Sequence, residues 1–215
     1  RSLVRYLGAL GLDGDDEFDD IRRVAAEAFR LGRHPLFIGG DHSVTYPVVA
    51  GLHDVHGAVD IVHVDAHPDL YDELDGNRLS HASPFARILE AGYARSLTQY
   101  GIRTFTAYQR EQAARFGVTS HEMRRHRRWT PPQVQGPVYV SLDLDALDPA
   151  FAPGVAHQEP GGLSVREVLD VLGWIDQPVV AGDVVEYHPA RDIQGTTAIV
   201  AAKLVRELAA KMIGE

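Results

Sequence analysis

The sequence predicts an α/β fold with a largely parallel sheet, in one domain that covers residues 1–215. Three observations support this prediction. Short apolar runs alternate with stretches of helical periodicity, the 215 residues are enough for one large core, and the 45% hydrophobic and 24% charged residues are typical of a globular protein. Strands that alternate with helices need right-handed crossovers, and such crossovers make neighbouring strands parallel.

The individual elements follow from these patterns in chain order. Strands are predicted where short apolar runs occur, at 35–38, 58–64, 97–102, 138–144 and 179–185. Helices are predicted where apolar residues recur at helical spacing, at 15–31, within 84–92, and at 110–116, 165–174 and 197–213. Ligands of open parallel sheets bind beyond the carboxyl ends of the strands, so polar residues that directly follow a strand are the candidate site residues.

Charge and composition limit the possible partners. The formal net charge of −9 argues against nucleic acid, which is bound through clustered Lys and Arg, but it suits a cationic substrate. The apolar stretches are too short to cross a bilayer, so no membrane partner is expected. Because the chain has no cysteine, thiolate nucleophiles and zinc–thiolate sites are excluded, and a metal would have to be held by His, Asp and Glu. The basic segment 124–128 is interpreted as a solvated loop.

The first predicted strand is followed by Gly39-Gly40-Asp41-His42-Ser43. The two glycines allow the backbone to turn sharply, which would place the polar residues at the edge of the sheet. An Asp or Ser here is equally consistent with a cap of the next helix. His42 is therefore a candidate metal ligand only in combination with other residues.

The second predicted strand is followed by Asp65-Ala66-His67-Pro68-Asp69. Side chains of an extended chain alternate between two faces, so Asp65, His67 and Asp69 are expected to point the same way. Three such side chains at a strand end would concentrate negative charge unless a cation compensated it. His63 shares the alternation but lies deeper in the strand, and it is interpreted as a core or supporting histidine.

A third acidic cluster follows the strand at 138–144. Asp143 and Asp145 are expected on one face, among leucines that would bury them. Two buried carboxylates side by side need a shared cation or a shared proton. A proton-sharing pair is the alternative, but it would leave the histidine-bearing clusters without a role. Asp148, before Pro149, is interpreted as a turn or cap residue.

The clusters together contain four carboxylates and two imidazoles. This set is too large for one zinc ion and fits two metal ions that share carboxylate ligands. Hard oxygen ligands with some imidazole favour manganese, and two such ions can ionise a water molecule and orient a substrate at neutral pH. The six candidate ligands are His42, Asp65, His67, Asp69, Asp143 and Asp145.

Three segments resemble the signature motifs of the ureohydrolase family, which contains arginases and agmatinases. They are GGDHS at 39–43, DAHPD at 65–69 and SLDLDALDPAFAPG at 141–154, and the resemblance extends from about residue 35 to the C-terminus. The plant-type arginase and agmatinase-like branch is the most similar one. That comparison depends on SHASPFAR at 80–87, APGVAHQEPGGLS at 152–164 and AAKLVRELAAK at 201–211.

This resemblance implies a three-layer α/β/α fold of the arginase type, two manganese ions and a homotrimer or homohexamer. One ion would be held by His42, Asp65, Asp69 and Asp143, and the other by Asp65, His67, Asp143 and Asp145. His81 matches the proton-shuttling histidine of the family, and Glu186 matches the carboxylate that pairs with the guanidinium group. A histidine can transfer protons near neutral pH, and a carboxylate can bind a planar guanidinium through two hydrogen bonds.

The implied reaction is hydrolysis of a guanidino group to urea and an amine by a metal-bridging hydroxide, with Asp145 and Glu186 stabilising the tetrahedral species. Agmatine is the favoured substrate, with arginine and guanidinobutyrate as alternatives. Tyr71 stands where animal arginases have Asn, in the loop that contacts the amino-acid end, and His157 stands where family members often have Thr. Both residues are candidate substrate contacts.

Family members usually carry a further N-terminal region with the first strands of the sheet. The domain is therefore expected to be N-terminally incomplete and to lack those strands. A non-catalytic fragment that keeps the metal ligands is one alternative. A deacetylase on a similar fold is another, but it would use one zinc and would not need His42, Asp69 and Asp145 together. The expected location is cytoplasmic, any upstream targeting segment being outside this sequence.

Overall fold

The computed structural model describes residues 5–11 and 16–214. Its six strands form one sheet, in the order β1-β6-β5-β2-β3-β4, and every neighbouring pair is parallel. The strands are β1 Leu36–Ile38, β2 Val59–Val64, β3 Ala94–Ile102, β4 Thr119–Glu122, β5 Val138–Asp143 and β6 Val179–Val185. The predicted α/β class and parallel sheet are confirmed.

Six α-helices lie before, between and after the strands in the described part of the chain. They are α1 Glu17–Arg30, α2 Thr45–His56, α3 Pro84–Glu90, α4 Ala107–Phe116, α5 Val165–Gly173 and α6 Thr196–Ile213. The predicted helices are all present, with ends that differ by up to three residues. The predicted start of the first helix, Asp15, lies outside the described residues.

Two elements were not predicted from the sequence. Helix α2 has seven buried residues and contacts both α1 and α3, so its sequence lacks the alternation of apolar and polar faces that marks a helix at the surface. Strand β4, Thr-Ser-His-Glu, lies at the edge of the sheet and has no apolar run. The basic residues 124–128 belong to a short 3₁₀ helix, Met123–Arg128, with no buried side chain, so the predicted loop is wrong but its solvation is confirmed.

Each face of the sheet is covered by its own hydrophobic core. One core joins the sheet to helices α1–α4, through residues such as Phe29, Leu52 and Phe85. The other joins it to α5 and α6, through residues such as Leu172 and Leu208. The molecule is therefore a three-layer α/β/α sandwich, as the family resemblance implied.

The strand order determines where the polar loops meet. The chain passes from β2 outward to β3 and β4 and then returns to β5 on the other side of β2. The loops after β2 and β5 thus diverge at their common edge and leave a crevice, which is the usual position of a ligand in such sheets. In the described part of the chain, no helix is both long and apolar enough to cross a membrane.

Candidate metal centre

His42 lies at the centre of a group of buried carboxylates. It begins a short 3₁₀ helix after β1 and is 1% exposed. Its Nδ1 atom lies 3.2 Å from Asp65 Oδ2, 3.0 Å from Asp69 Oδ2 and 3.1 Å from Asp143 Oδ2. The structure thus brings together the four residues that the family resemblance assigned to one ion.

The hydrogen bonds on the far side of His42 indicate which nitrogen is free. Ser141 Oγ donates to Asp183 Oδ1 at 2.7 Å, so it accepts from His42 Nε2, 2.8 Å away. In the neutral imidazole the lone pair is then on Nδ1, which is buried and has no hydrogen-bond partner among the described residues. Burial opposes protonation of His42, but the hydrogen bonds that a protonated Nδ1 would donate to Asp143, Asp65 and Asp69 outweigh it and raise its pKa well above the usual value. The position therefore favours positive charge, which a metal ion bound to Nδ1 would supply.

A second group forms around His67. Its Nδ1 atom lies 3.0 Å from Asp145 Oδ2 and 3.4 Å from Asp65 Oδ1. The two oxygens of Asp65 therefore face different imidazoles, Oδ2 towards His42 and Oδ1 towards His67. This is the arrangement expected of a carboxylate shared by two ions, and oxygen and imidazole ligands of this kind suit manganese.

Turns, rather than extended chain, bring these carboxylates together. The strand β2 ends at Val64, and Asp69 has a left-handed φ of 51°. Strand β5 ends at Asp143, and Asp145 lies in a 3₁₀ turn whose backbone N–H donates to Asp143 Oδ1 at 2.7 Å. The residues converge as expected. The alternation of faces, which was the predicted reason, does not apply beyond the strand ends, because the backbone turns there instead of staying extended.

The electrostatics of the cluster also favour a bound cation. Burial, together with the charges of Asp145 and Asp65, raises the pKa of Asp143 well above its usual value. Burial and Asp65 raise the pKa of Asp145 to about 7. Burial opposes protonation of His67, but the hydrogen bonds that His67 donates to Asp145 and Asp65 outweigh it and raise its pKa to about 12. The carboxylates compete for positive charge that a metal ion would supply.

His63 supports the centre from inside the sheet. It is fully buried, and its Nδ1 accepts a hydrogen bond from Gln99 Nε2 at 3.1 Å. Nε2 is therefore the protonated nitrogen, and it donates to Asp65 Oδ2 at 2.8 Å. His63, Asp65 and His42 are close enough to form a three-ligand group. The Gln99 contact instead favours the predicted supporting role, in which His63 orients Asp65.

Glu186 follows β6 and is held in an unusual conformation. Its φ is 65°, its backbone N–H donates to Gly40 O at 2.8 Å, and its Oε1 accepts from His42 N at 2.9 Å. A left-handed conformation is costly for a glutamate and is found where the surroundings enforce it. Burial raises the pKa of this carboxyl group, which a cationic partner would reverse. The second oxygen remains available to such a partner.

The remaining predicted residues line one cleft beside the carboxylates. The cleft has an empty volume of about 480 Å³ and is lined by His67, Asp69, Tyr71, His81, Ala82, Thr104, Gln109, Asp143, Asp145, His157 and Glu186. The rings of His81 and His157 are stacked with centroids 5.2 Å apart, and His157 also meets His67 edge-on at 6.0 Å. Burial lowers the pKa of His157, and the neighbouring imidazoles add to this effect.

Four residues of this region were not predicted from the sequence. Thr104, in the connection between β3 and α4, and Gln109, in the first turn of α4, line the cleft, and this part of the sequence carries no acidic or histidine motif. Ser141 and Asp183 orient His42, and Asp183 Oδ2 also accepts hydrogen bonds from Thr45 and Tyr139, both at 2.6 Å. A polar Asp in the middle of the apolar run 179–185 was the one available signal.

The fold and the site together define an α/β protein with a carboxylate-rich metal centre at the carboxyl edge of a parallel sheet. The sequence profile of the arginase family matches residues 6–210. The chain belongs to the arginase family.

The most similar relatives include plant arginases. "Arginase 1, mitochondrial" of Arabidopsis thaliana is 56% identical over 209 residues, which are 90% of this chain and 61% of the relative. The structure "Arginase from Medicago truncatula" superimposes with a TM-score of 0.86 at 50% identity, and covers 93% of this chain and 66% of that one. The "N(1)-aminopropylagmatine ureohydrolase" of Thermus thermophilus is 41% identical over 177 residues, which are 79% of this chain and 60% of the relative.

The predicted similarity to the plant-type branch is confirmed. These relatives support arginine, the alternative substrate of the sequence analysis, better than the agmatine favoured there. The chain spans 55% to 61% of the length of the two plant relatives with 56% identity. The activity, substrate and assembly of this chain are therefore proposals.

Proposed function

We propose that this chain is a manganese-dependent ureohydrolase that hydrolyses the guanidino group of arginine to urea and an amine. The observation that carries the proposal is the convergence of six ligand-type side chains beside Glu186, the carboxylate with one free oxygen. The ligands would be His42, Asp65, His67, Asp69, Asp143 and Asp145. Two manganese ions, when bound, would activate water as the nucleophile and stabilise the charge that develops at the substrate.

Glu186 would orient the substrate. Its Oε1 is held by the backbone N–H of His42, so the carboxylate cannot rotate freely. A guanidinium group that donates to Glu186 would be fixed beside Asp143 and Asp145, which line the same cleft. Asp145 would further stabilise the tetrahedral species.

His81 would transfer protons between the cleft and solvent. It lines the cleft and is half-buried, and its ring stacks against that of His157. A partly exposed imidazole can deliver a proton to the departing amine and recover it from water. His157, whose ring stacks against that of His81, would hold the His81 ring in place.

The far end of the cleft favours arginine over agmatine. The amide oxygen of Gln109 accepts from Thr106 N at 3.2 Å and from Thr106 Oγ1 at 3.1 Å, which leaves its NH₂ group for a ligand. Thr104 adds a neutral hydroxyl group to the lining, whereas the hydroxyl of Tyr71, also in the lining, donates to Thr106 Oγ1 at 3.4 Å. Amide and hydroxyl donors suit the carboxylate of arginine, which agmatine lacks.

Urea release from arginine, agmatine and guanidinobutyrate by the purified, manganese-loaded protein tests the proposal. We expect the highest kcat/KM with arginine. The Asp143→Asn variant, purified in parallel, shows whether a contaminating host enzyme produces the urea. Higher activity with agmatine would instead support agmatine as the substrate, as the sequence analysis favoured. No urea from any substrate, despite bound manganese, would identify the non-catalytic alternative. The expected homotrimer or homohexamer and the cytoplasmic location stay predictions.

A further inference from the structure

Arg103 follows β3 and is a cation of the site region that the proposed mechanism does not use. Its backbone N–H donates to Ala66 O at 2.9 Å, inside the loop that carries Asp65 and His67. Its guanidinium group is largely buried behind Asp145, and burial lowers its pKa. Within the described residues, no carboxylate lies within salt-bridge distance of it.

The guanidinium group makes six hydrogen bonds, all to backbone carbonyl oxygens. Nη2 donates to Asp145 O at 2.7 Å and to Leu147 O at 3.3 Å, and Nη1 donates to Ala146 O at 3.1 Å. A further Nη1 bond, at 3.2 Å, goes to Gly101 O at the end of β3. These contacts attach the loop that carries Asp145, after β5, to the end of β3, which is separated from β5 by strand β2.

The same group also binds the loop that carries His157. Both Nε and Nη2 donate to Glu159 O, at 2.8 Å and 2.6 Å. Gly162 leaves the necessary room, because a Cβ atom there would lie 2.7 Å from Arg103 Nη2. Asp145 and Glu159 are thus joined through one planar side chain.

The loop needs this support because it has little of its own. Within the described residues, no backbone–backbone hydrogen bond involves 156–160. Among the described residues, the other hydrogen bonds of this segment come from Gln158, which donates to Pro153 O, and from Arg191, which donates to Ala156 O at 2.8 Å. The segment is also contacted by His67, whose Nε2 lies 4.0 Å from Glu159 Oε1, and by the ring of His81, which stacks on His157. Loss of the Arg103 contacts would leave Glu159 without its two hydrogen bonds.

We propose that Arg103 is a positioning residue that fixes the His157 loop and Asp145 relative to each other. The planar guanidinium can bind carbonyl groups on several sides at once, whereas a lysine ammonium is a compact point charge with three donors. The positive charge alone is therefore not sufficient for this role. Its effect on catalysis rests on the proposed function, but its effect on the loop and on metal binding does not.

The test measures loop mobility in the manganese-loaded protein. Because the chain has no cysteine, a fluorescent probe can be attached at Glu159→Cys alone, and at Glu111→Cys on α4 as a reference position. We expect Arg103→Met and Arg103→Lys to increase the mobility of the probe at 159, seen as lower residual anisotropy, and to leave the reference probe unchanged. Arg110→Lys, which alters an exposed ion pair with Glu122 after the same strand, is the matched control and should change neither probe.

Two further readouts separate positioning from general destabilisation. Manganese affinity should fall roughly 10- to 100-fold, as for other residues that orient metal ligands. The KM for arginine should rise roughly tenfold with a smaller change in kcat, because the loop borders the substrate and not the attacking water. The proposal would be overturned if the probe at 159 were as immobile in Arg103→Met as in the parent. It would also be overturned if Arg103→Lys kept the parental probe mobility, manganese affinity and KM for arginine. If Arg103→Met does not fold, Arg103→Lys decides. If the parent releases no urea, the probe and the manganese affinity still decide.

Discussion

The orientation of His42 shows how residues outside a site determine what a residue inside it can bind. Ser141 and Asp183 belong to the interior of the sheet, yet their hydrogen bonds leave His42 Nδ1 as the lone pair that faces three carboxylates. On the other side, His63 donates to Asp65 and limits the directions in which that carboxylate can turn. The ligand atoms are therefore positioned by hydrogen bonds before any ion binds, which reduces the cost of ordering them.

Asp143 is the residue whose removal should affect the centre most. Its Oδ2 faces His42 and its Oδ1 accepts from the backbone of Asp145, so it joins the two groups. We expect Asp143→Asn to weaken manganese binding by more than about 100-fold, the upper end for supporting residues, and to abolish urea release. The matched control is Asp170→Asn, on the exposed face of α5. Manganese stoichiometry measured by calorimetry at the parental value would contradict the ligand assignment.

Metal binding should depend on pH near neutrality. Burial and Asp65 raise the pKa of Asp145 to about 7 in the metal-free protein. Asp145 ionises at lower pH in the unfolded chain than in the folded one, so the metal-free fold loses stability as the pH rises towards 7. A bound metal ion would offset this cost by stabilising the ionised carboxylate. Below this pH a proton competes with the metal, so manganese affinity should fall by about tenfold per pH unit for one proton. Equal affinities in calorimetric titrations at pH 6 and pH 8 would be inconsistent with this pKa.

At the scale of the elements, helices α1 and α2 show how close packing supports the site. Helix α2 begins at Thr45, directly after the 3₁₀ helix that carries His42, and α1 packs against it. The two helices approach each other closely at Gly51, where an added Cβ atom would lie 2.6 Å from Arg22 O and 2.9 Å from Ala25 Cβ. Such contacts involve backbone and cannot be relieved by a rotamer change.

We therefore expect Gly51→Ala to destabilise the protein by about 1–3 kcal/mol, the usual cost of overpacking. The control is Gly173→Ala, at the end of α5, where an added Cβ atom meets nothing within 4 Å. Because alanine favours helix more than glycine does, this variant should be neutral or more stable by up to about 1 kcal/mol. Urea unfolding of both variants gives the comparison. Equal stabilities would show that α1 can move away from α2 at little cost.

At the scale of the whole molecule, the sheet has an open edge at β1. This strand pairs with β6 on one side, and no described residue pairs with its other side. Ile38, the last residue of β1, is 73% exposed. A strand edge with free backbone groups and an exposed apolar residue tends to pair with another chain.

The 215-residue chain expressed by itself should therefore self-associate through this edge. Ile38→Lys should reduce the association, because a charged residue at a sheet edge opposes pairing. Ile199→Lys provides the comparison, since Ile199 is similarly exposed, at 70%, but lies on helix α6. Light scattering after gel filtration measures both. A larger effect of the α6 substitution would place the contact on the helical layer instead.

The sequence by itself determined the class of fold, the positions of most strands and helices, and the identity of the candidate ligands. These features depend on local periodicity and on residue types that follow strand ends, both of which can be read without knowing distant neighbours. Helix α2 and strand β4 were not predicted from the sequence, because their burial depends on the elements packed around them.

The tertiary structure decided how these residues work together. It brings the loops after β1, β2, β3, β5 and β6 to one edge, selects the free nitrogen of His42 and joins Asp145 to Glu159 through Arg103. The hydrogen bond of His42 with Ser141 and those of Arg103 with Asp145 and Glu159 each link positions more than 40 residues apart, so no local pattern records them. Their geometry follows from the strand order, which is a property of the complete sheet.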